Sequence, residues 1–302
     1  MKSNFTKKMK YLTATGMTVF SLWCIFSFCN AGSTEEKYEK YIKTDSLNSK
    51  AIVVSLASDA VTAISTTKGI VVIDAGISVS LTAKYRKIIE SKFGRKDFAY
   101  LINTHSHADH TGGNQFFSDA TIVGHKNCLP EMTAYWKNTE KIKSGLLKTV
   151  HDYEKKLDTL DPNSIDREEY FCQMSRYQCA YSDLTSGHIF TPPTVTFEDT
   201  MNIVSGDVTL SLCYFGKAHS ESDIMIHIPE MKILMVGDLF SKYGRPNFSD
   251  SSKPDVERWI KALKWIEARL TNIELVVGGH GKIMTKEDLL LFNSFVKKKC
   301  SE

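Results

Sequence analysis

Beyond residue 49 the apolar positions of the chain come in short runs at 51–57, 60–65 and 70–73, each closed by a polar turn. Runs of this length bounded by turns predict a strand meander entering a core. The period then changes. Leu81, Tyr85, Ile88, Ile89 and Phe93 fall on one helical face, which predicts a helix over 80–93. Residues 98–102 read as a strand, and 121–124 as another. The rhythm breaks over 126–188, a stretch rich in Lys, Glu, Tyr and Met with helical spacing and a turn at Asp161-Pro162-Asn163. That stretch is expected to be a mostly helical insertion. Strands resume at 194–197, 201–204, 208–215, 223–228 and 232–236, followed by a helix over 254–269, a strand at 273–277 and a final helix over 286–298. Two strand-rich halves, each with helices, make an α/β (α+β) protein.

The first 31 residues are of a different kind. Lys2, Lys7, Lys8 and Lys10 precede an apolar stretch from 11 to 28, and Cys29-Asn30-Ala31 supplies small positions before Gly32. This is the pattern of a cleaved signal peptide, with an uncleaved membrane anchor as the alternative. A periplasmic or secreted protein is therefore expected, with residues 32–49 as a flexible lead-in and 50–302 as the folded domain. Cys24 and Cys29 are poor lipoprotein cysteines, because bulky Trp23 and Phe28 precede them.

Removing residues 1–31 takes away four lysines and no acid, so 38 basic against 35 acidic residues become 34 against 35. A mature charge of −1 gives no basic footprint for nucleic acid or anionic membranes. A small-molecule substrate is the expected partner, with no nucleic acid and no stable membrane association after cleavage. Five cysteines remain: Cys128, Cys172, Cys179, Cys213 and Cys300. Cys172 and Cys179 are candidates for a bridge within the insertion, and an odd count leaves at least one thiol unpaired within the chain.

The candidate chemistry is concentrated at residues 103–114, Asn-Thr-His-Ser-His-Ala-Asp-His-Thr-Gly-Gly-Asn. His105, His107, Asp109 and His110 put four potential ligands into six positions, a density that a metal explains. In extended backbone, residues two apart face one way. His105 and His107 can therefore share one point, while Asp109 and His110 reach a second after a turn. Further ligand types follow at the ends of apolar runs: His219 after 208–215, Asp238 after 232–236 and His280 after 273–277. Strand tips are rigid platforms that aim side chains into one crevice.

In these residues the chain resembles the metallo-β-lactamase fold superfamily, whose pattern is a Thr-His-x-His-x-Asp-His loop followed by a lone His, a lone Asp and a lone His. All seven positions are filled in order, and the resemblance spans roughly 50–300 apart from the insertion. It implies a four-layer αββα sandwich. It implies one metal on His105, His107 and His219, a second on Asp109, His110 and His280, and Asp238 between them. Asp109 and Asp238 are the carboxylates of this set and the candidate catalytic groups. Imidazole and carboxylate ligands without cysteine suit Zn²⁺, two per chain, with iron or manganese as alternatives.

The implied activity is hydrolysis, by metal-activated water, of a carbonyl bond in a lactam, lactone, ester or thioester. Lactamases of the main dizinc subclass carry Cys where Asp238 stands, so Asp238 points toward the lactonase and thioesterase branches. A β-lactamase, a phosphodiesterase and a non-catalytic metal-binding protein are the alternatives. Asp74 and Asp223 read either as acceptors for ligand imidazoles or as turn and cap residues. Gly112 and Gly113 read as backbone devices for the turn. Asn114 reads as a cap or a polariser of substrate, and Lys282 as a surface lysine or a carboxylate binder. The other histidines, His125, His151, His188 and His227, lie outside the pattern. The insertion is either a packed helical hairpin or a lid, with Tyr135, Trp136, Tyr170, Phe171 and Tyr177 as its candidate aromatics.

Overall fold

A computed structural model describes residues 38–239 and 256–301. The expected signal segment and the residues at 254–255 expected to begin a helix lie outside the described residues. None of the described helices is long and apolar enough to cross a membrane.

Two sheets form the centre. The first has seven strands in sequence order: β1 (Lys43–Ser46), β2 (Ala51–Leu56), β3 (Asp59–Thr66), β4 (Gly69–Ile73), β5 (Phe98–Ile102), β6 (Thr121–His125) and β7 (Val195–Phe197). Strands β1 to β4 are an antiparallel meander, and β4 to β7 are parallel. The second sheet orders β13 (Ile283–Thr285), β12 (Leu275–Gly278), β11 (Ile233–Gly237), β10 (Ile224–Ile228), β9 (Val208–Tyr214) and β8 (Thr200–Ser205). Only β11 and β12 pair in parallel there. Strands β1 and β13 are additions to the sequence reading. The four residues of β1 are polar and exposed, so no apolar alternation marks them, and β13 is only three residues long.

The helices are α1 (Val79–Phe93), the single turn α2 (Ala108–Thr111), α3 (Cys128–Trp136), α4 (Thr139–Thr159), α5 (Asp166–Ser186), α6 (Val256–Glu267) and α7 (Lys286–Ser301). The insertion between β6 and β7 is thus helical, as its spacing predicts, with Pro162 in the turn between α4 and α5.

Alternation along the strands builds the layers. Ala51 and Val53 of β2 face the second sheet, where they share a core with Leu210, Leu212, Ile226 and Met235. Their neighbours Ile52, Val54 and Leu56 face the other way, onto Leu81, Tyr85 and Ile89 of α1. In the second sheet Met225, Leu234 and Val276 point outward, beneath Trp259 and Leu263 of α6 and Phe292 of α7. Each sheet is therefore covered on both faces, giving the αββα sandwich. Each large buried aliphatic side chain contributes about 1.5–3 kcal/mol.

Ser78 starts α1 by accepting a hydrogen bond from Leu81 N, and Gly94 ends it in the left-handed region at φ 64°. The same topology sets the site. Strands β4 and β5 of one sheet and β9, β11 and β12 of the other run in directions that bring their C-terminal ends to one edge. In α/β sheets such carboxyl ends are where ligands bind. Ile224 N donates to Thr104 O at 2.9 Å and ties the two sheets together there.

Candidate metal centre

The loop after β5 is shaped by Asp74, which follows β4 with φ 60°. Its carboxylate accepts Thr104 N and Thr104 Oγ1, both at 2.8 Å, and lies 2.9 Å from His110 Nδ1. Asp74 therefore serves as the acceptor for an imidazole, leaving His110 Nε2 to face the centre. Thr104 Oγ1 lies 3.1 Å from His105 Nδ1 and acts similarly for that ring. His280 Nδ1 lies 2.6 Å from Ser58 O, in the β2–β3 turn, which fixes its Nε2 inward. Such partners settle tautomer and ring orientation.

All seven sequence-derived residues come together. Three sets of ligand atoms lie within 4.8 Å of one another: His105, His107 and His219; His105, His110 and Asp238; and Asp109, His110 and His280. His219 Nε2 is 3.0 Å from His107 Nδ1. Asp238 occupies the middle, with Oδ2 2.9 Å from His280 Nε2 and 3.5 Å from His219 Nε2, and Oδ1 3.4 Å from His110 Nε2.

Burial and charge divide the rings into two groups. Burial pulls His105 far below the usual imidazole range, lowers His107, and brings His219 down to about 4. These three are neutral at pH 7 and offer lone pairs. Burial also opposes charge on His110 and His280, but the carboxylates outweigh it. Asp238, Asp74 and Asp109 raise His110 well above the ordinary value, and Asp238 raises His280. Burial works against ionised Asp238 too, yet His110 and His280 hold its carboxyl far below the carboxylate range. Without metal, the second group is an ion-paired cluster that must release protons when a cation enters.

The residues fit a bound metal. His105 Nε2, His110 Nε2 and Asp238 Oδ1 are buried without a hydrogen-bond partner, although each is aimed into the cluster. Buried polar atoms left without partners are costly, and a cation at the centre would satisfy all three. Gly279 leaves the room. A Cβ there would stand 2.5 Å from Asp238 Oδ1 and 2.7 Å from His110 Cε1.

Other expectations are resolved by contacts. Asp223 reaches no imidazole. Its Oδ2 accepts Ser220 N at 2.6 Å and shapes the His219 loop, while Oδ1 is buried without a partner. Asn114 is neither cap nor polariser, since it pairs with Asn103 and donates to Thr191 O at 2.9 Å. Gly112 and Gly113 have negative φ. They are needed because a Cβ would strike Ile77 O or Ala75 O, so close approach rather than turn freedom is the reason. Lys282 gives its carbonyl to Gly278 N at 2.9 Å. His125 stacks on Tyr214, His188 stacks on Trp136, and His227 Nε2 meets Asn272 O at 3.1 Å. His151 is exposed on α4. Cys172 and Cys179 are free thiols rather than a bridge, because seven positions on α5 separate them by about 10 Å.

Burial pushes the Asp223 carboxyl up to about 7. The folded protein therefore holds that proton through a range in which the unfolded chain, at about 3.9, has released it. The stability this lends is present below pH 4 and lost as pH rises through 7. Asp223→Asn removes the titration. Denaturant melts of the metal-free protein are expected to show Asp223→Asn gaining about 2–4 kcal/mol on wild type between pH 5 and pH 8.

The insertion contributes more than its aromatics promised. A cavity of about 470 Å³ opens beside His107 and Asp109, walled by Ile77, Tyr135, Leu146 and Tyr177. Arg176 of α5 is 2% exposed and its Nη2 is 3.6 Å from Asp109 Oδ2. It also donates to Ser58 Oγ, on the residue whose carbonyl holds His280. Burial opposes its charge, but Asp59 and Asp109 keep it fully cationic. Nothing in the helical patterns of 128–136 and 166–186 marks Glu131, which lines this cavity, or Arg176 as part of a centre whose contacts lie 25 to 118 positions away in sequence. Only the packing of the insertion brings them there.

The family model described as "Metallo-beta-lactamase superfamily" matches residues 59–280. The chain belongs to this superfamily. Its members related to this chain are metal-dependent hydrolases, and so is this protein. The chain is 27% identical over 227 residues to "Metallo-beta-lactamase type 2" of Bacillus sp. (strain 170), covering 75% of this chain and 68% of that one. It thus spans about two thirds of that relative's length. Among solved structures it is similar to a "Metallo-beta-lactamase from Pontibacter korlensis", with TM-score 0.53, 17% identity, and 85% and 99% of the two chains covered. It is also similar to the sec-alkylsulfatase Pisa1 from Pseudomonas sp., with TM-score 0.56, 14% identity, and 86% and 41% covered. At these identities the two structures speak for the fold.

Proposed function

We propose that this chain is an exported dinuclear zinc hydrolase that opens a carbonyl bond in a small lactam, lactone, ester or thioester. The observation that carries the reading is the convergence of seven ligand residues on one point, with Asp238 facing His110, His219 and His280 at once. His105, His107 and His219 would hold one Zn²⁺. Asp109, His110 and His280 would hold the other, with Asp238 shared. The bound pair would supply water of pKa near ~7 and polarise the substrate carbonyl. The chain's own part is positional. Asp74, Thr104 and Ser58 fix three imidazoles before substrate arrives, so little reorganisation is left for the reaction. The cavity beside His107 and Asp109 would seat the body of the substrate and exclude water from it. Export is supported by the basic start, apolar stretch and small-residue end of residues 1–31.

The names of the curated relatives favour a second reading, β-lactam hydrolysis. Both are tested by offering the mature protein with zinc a chromogenic lactam, lactone, thioester and phosphodiester. Turnover of a carbonyl substrate, abolished by chelation and restored by zinc, is the expected result. Lactam turnover alone would favour the second reading. Turnover of the phosphodiester alone, or of nothing while zinc is bound, would overturn the first.

A further inference from the structure

Glu131 lies in the first turn of α3, at the start of the insertion, and its carboxylate joins two loops that are far apart in sequence. Oε2 accepts Ser106 Oγ at 2.7 Å and Ser222 Oγ at 2.6 Å. Oε1 accepts Glu221 N at 2.8 Å. Ser106 stands between His105 and His107, and Glu221 and Ser222 follow His219. Asn127, just before α3, adds a second tie by donating from Nδ2 to Glu221 O at 2.8 Å.

These two loops supply all three members of the first ligand set. The second set is held by other means: His110 by Asp74, His280 by Ser58 O, and Asp109 beside Arg176. We propose that Glu131 is a positioning residue of the first metal site, clamping the His105–His107 loop to the His219 loop so that three imidazoles keep one geometry. The proposal rests on the dinuclear reading above.

The chemistry favours a clamp over a reactive group. Glu131 borders the cavity, but its two oxygens already receive three donors, two hydroxyl groups and one backbone N–H. Three of its roughly four acceptor positions are thus taken by the two loops it joins. Outer partners of metal ligands are worth about 10–100-fold in metal affinity. Gln can replace Glu here. Its carbonyl oxygen would accept Glu221 N, and its amide nitrogen would donate to both serine hydroxyls, which can turn to accept.

Zinc titration against a chromophoric chelator, read as two stepwise constants, tests the proposal on the full mature protein. Glu131→Ala is expected to weaken the binding step assigned to the first site by about 10-fold or more. The other step should stay within about threefold, with the melting curve of the metal-free protein still cooperative. Glu131→Gln should restore the weakened step to within about threefold of wild type, because it keeps the three contacts. Single substitutions His219→Ala and His280→Ala assign the steps to their sites.

Equal weakening of both steps by Glu131→Ala would make the residue a general support of the fold and overturn the proposal. So would a Glu131→Gln variant that keeps both metals but loses turnover and one limb of the pH–rate profile, since that marks a proton-handling group. If wild type takes up a single zinc, the dinuclear reading falls. The clamp is still decided, because that one step must then depend on both His219 and Glu131.

Discussion

Asp238→Ala is expected to reduce zinc content from two ions to one or fewer per chain and to lower hydrolysis by about 10³-fold or more, the scale of losing a central electrostatic group. Asp238 faces histidines of both ligand sets. Its oxygens lie 2.9 Å from His280 Nε2, 3.4 Å from His110 Nε2 and 3.5 Å from His219 Nε2. Removing it takes one negative charge from a site proposed to gather two divalent cations, in an interior where charge is weakly screened. The metal-free protein should change as well. Asp238 is the leading carboxylate that lifts His110 and His280 above the ordinary imidazole range, so both should titrate at lower pH in the variant. Metal analysis after dialysis, a turnover assay and an NMR titration of the imidazoles check the three statements. Full zinc content with unchanged turnover would count against the shared role of Asp238.

Gly279→Ala is expected to lower activity by about 100-fold or more, the scale of a misplacement of about 1 Å at a reacting centre. Gly279 precedes His280, and Gly279 N donates to Gly237 O at 2.8 Å, locking the β12 tip beside the β11 tip. The added methyl would stand 2.5 Å from Asp238 Oδ1 and 2.7 Å from His110 Cε1, closer than a real Cβ comes to other atoms. Either Asp238 or His110 must move, and each belongs to the second ligand set or borders it. The fold should lose only about 1–3 kcal/mol, typical of one excess methyl group in a packed region. A variant that melts close to wild type but binds the second zinc weakly is the expected outcome. One with wild-type turnover would show that the tips are looser than the packing suggests.

Much of this architecture is legible in the chain itself, for identifiable reasons. The strands of the inter-sheet core declare themselves because Val, Ile and Leu fill their runs, as in Gly69–Ile73 and Ile233–Gly237. The metal cluster declares itself because four potential ligands in six positions have no cheaper explanation, and because His219, Asp238 and His280 each follow an apolar run. Strand β1 escapes because Lys43–Ser46 has no apolar face to betray it, being an exposed edge. Asp223 stays open between an imidazole acceptor and a turn residue because a carboxylate near a histidine fits both, and its bond to Ser220 N decides for the turn. Glu131 and Arg176 escape for a deeper reason. Their partners lie in Ser106, Ser222, Ser58 and Asp109, and only the docking of the insertion creates those contacts. Sequence periodicity reports which face of a helix is apolar. It does not report which loop a polar residue on that helix will meet.

The proposed function requires two cations sharing one cluster. Its most direct test is a crystal of the mature protein grown with zinc, with anomalous scattering recorded at the zinc edge. The account predicts two peaks, one bounded by His105 Nε2, His107 Nδ1 and His219 Nε2 and the other by Asp109, His110 Nε2 and His280 Nε2. Each should lie about 2.0–2.2 Å from its ligands, with Asp238 touching both. A single peak, or two peaks of which one lies away from these side chains, would contradict it.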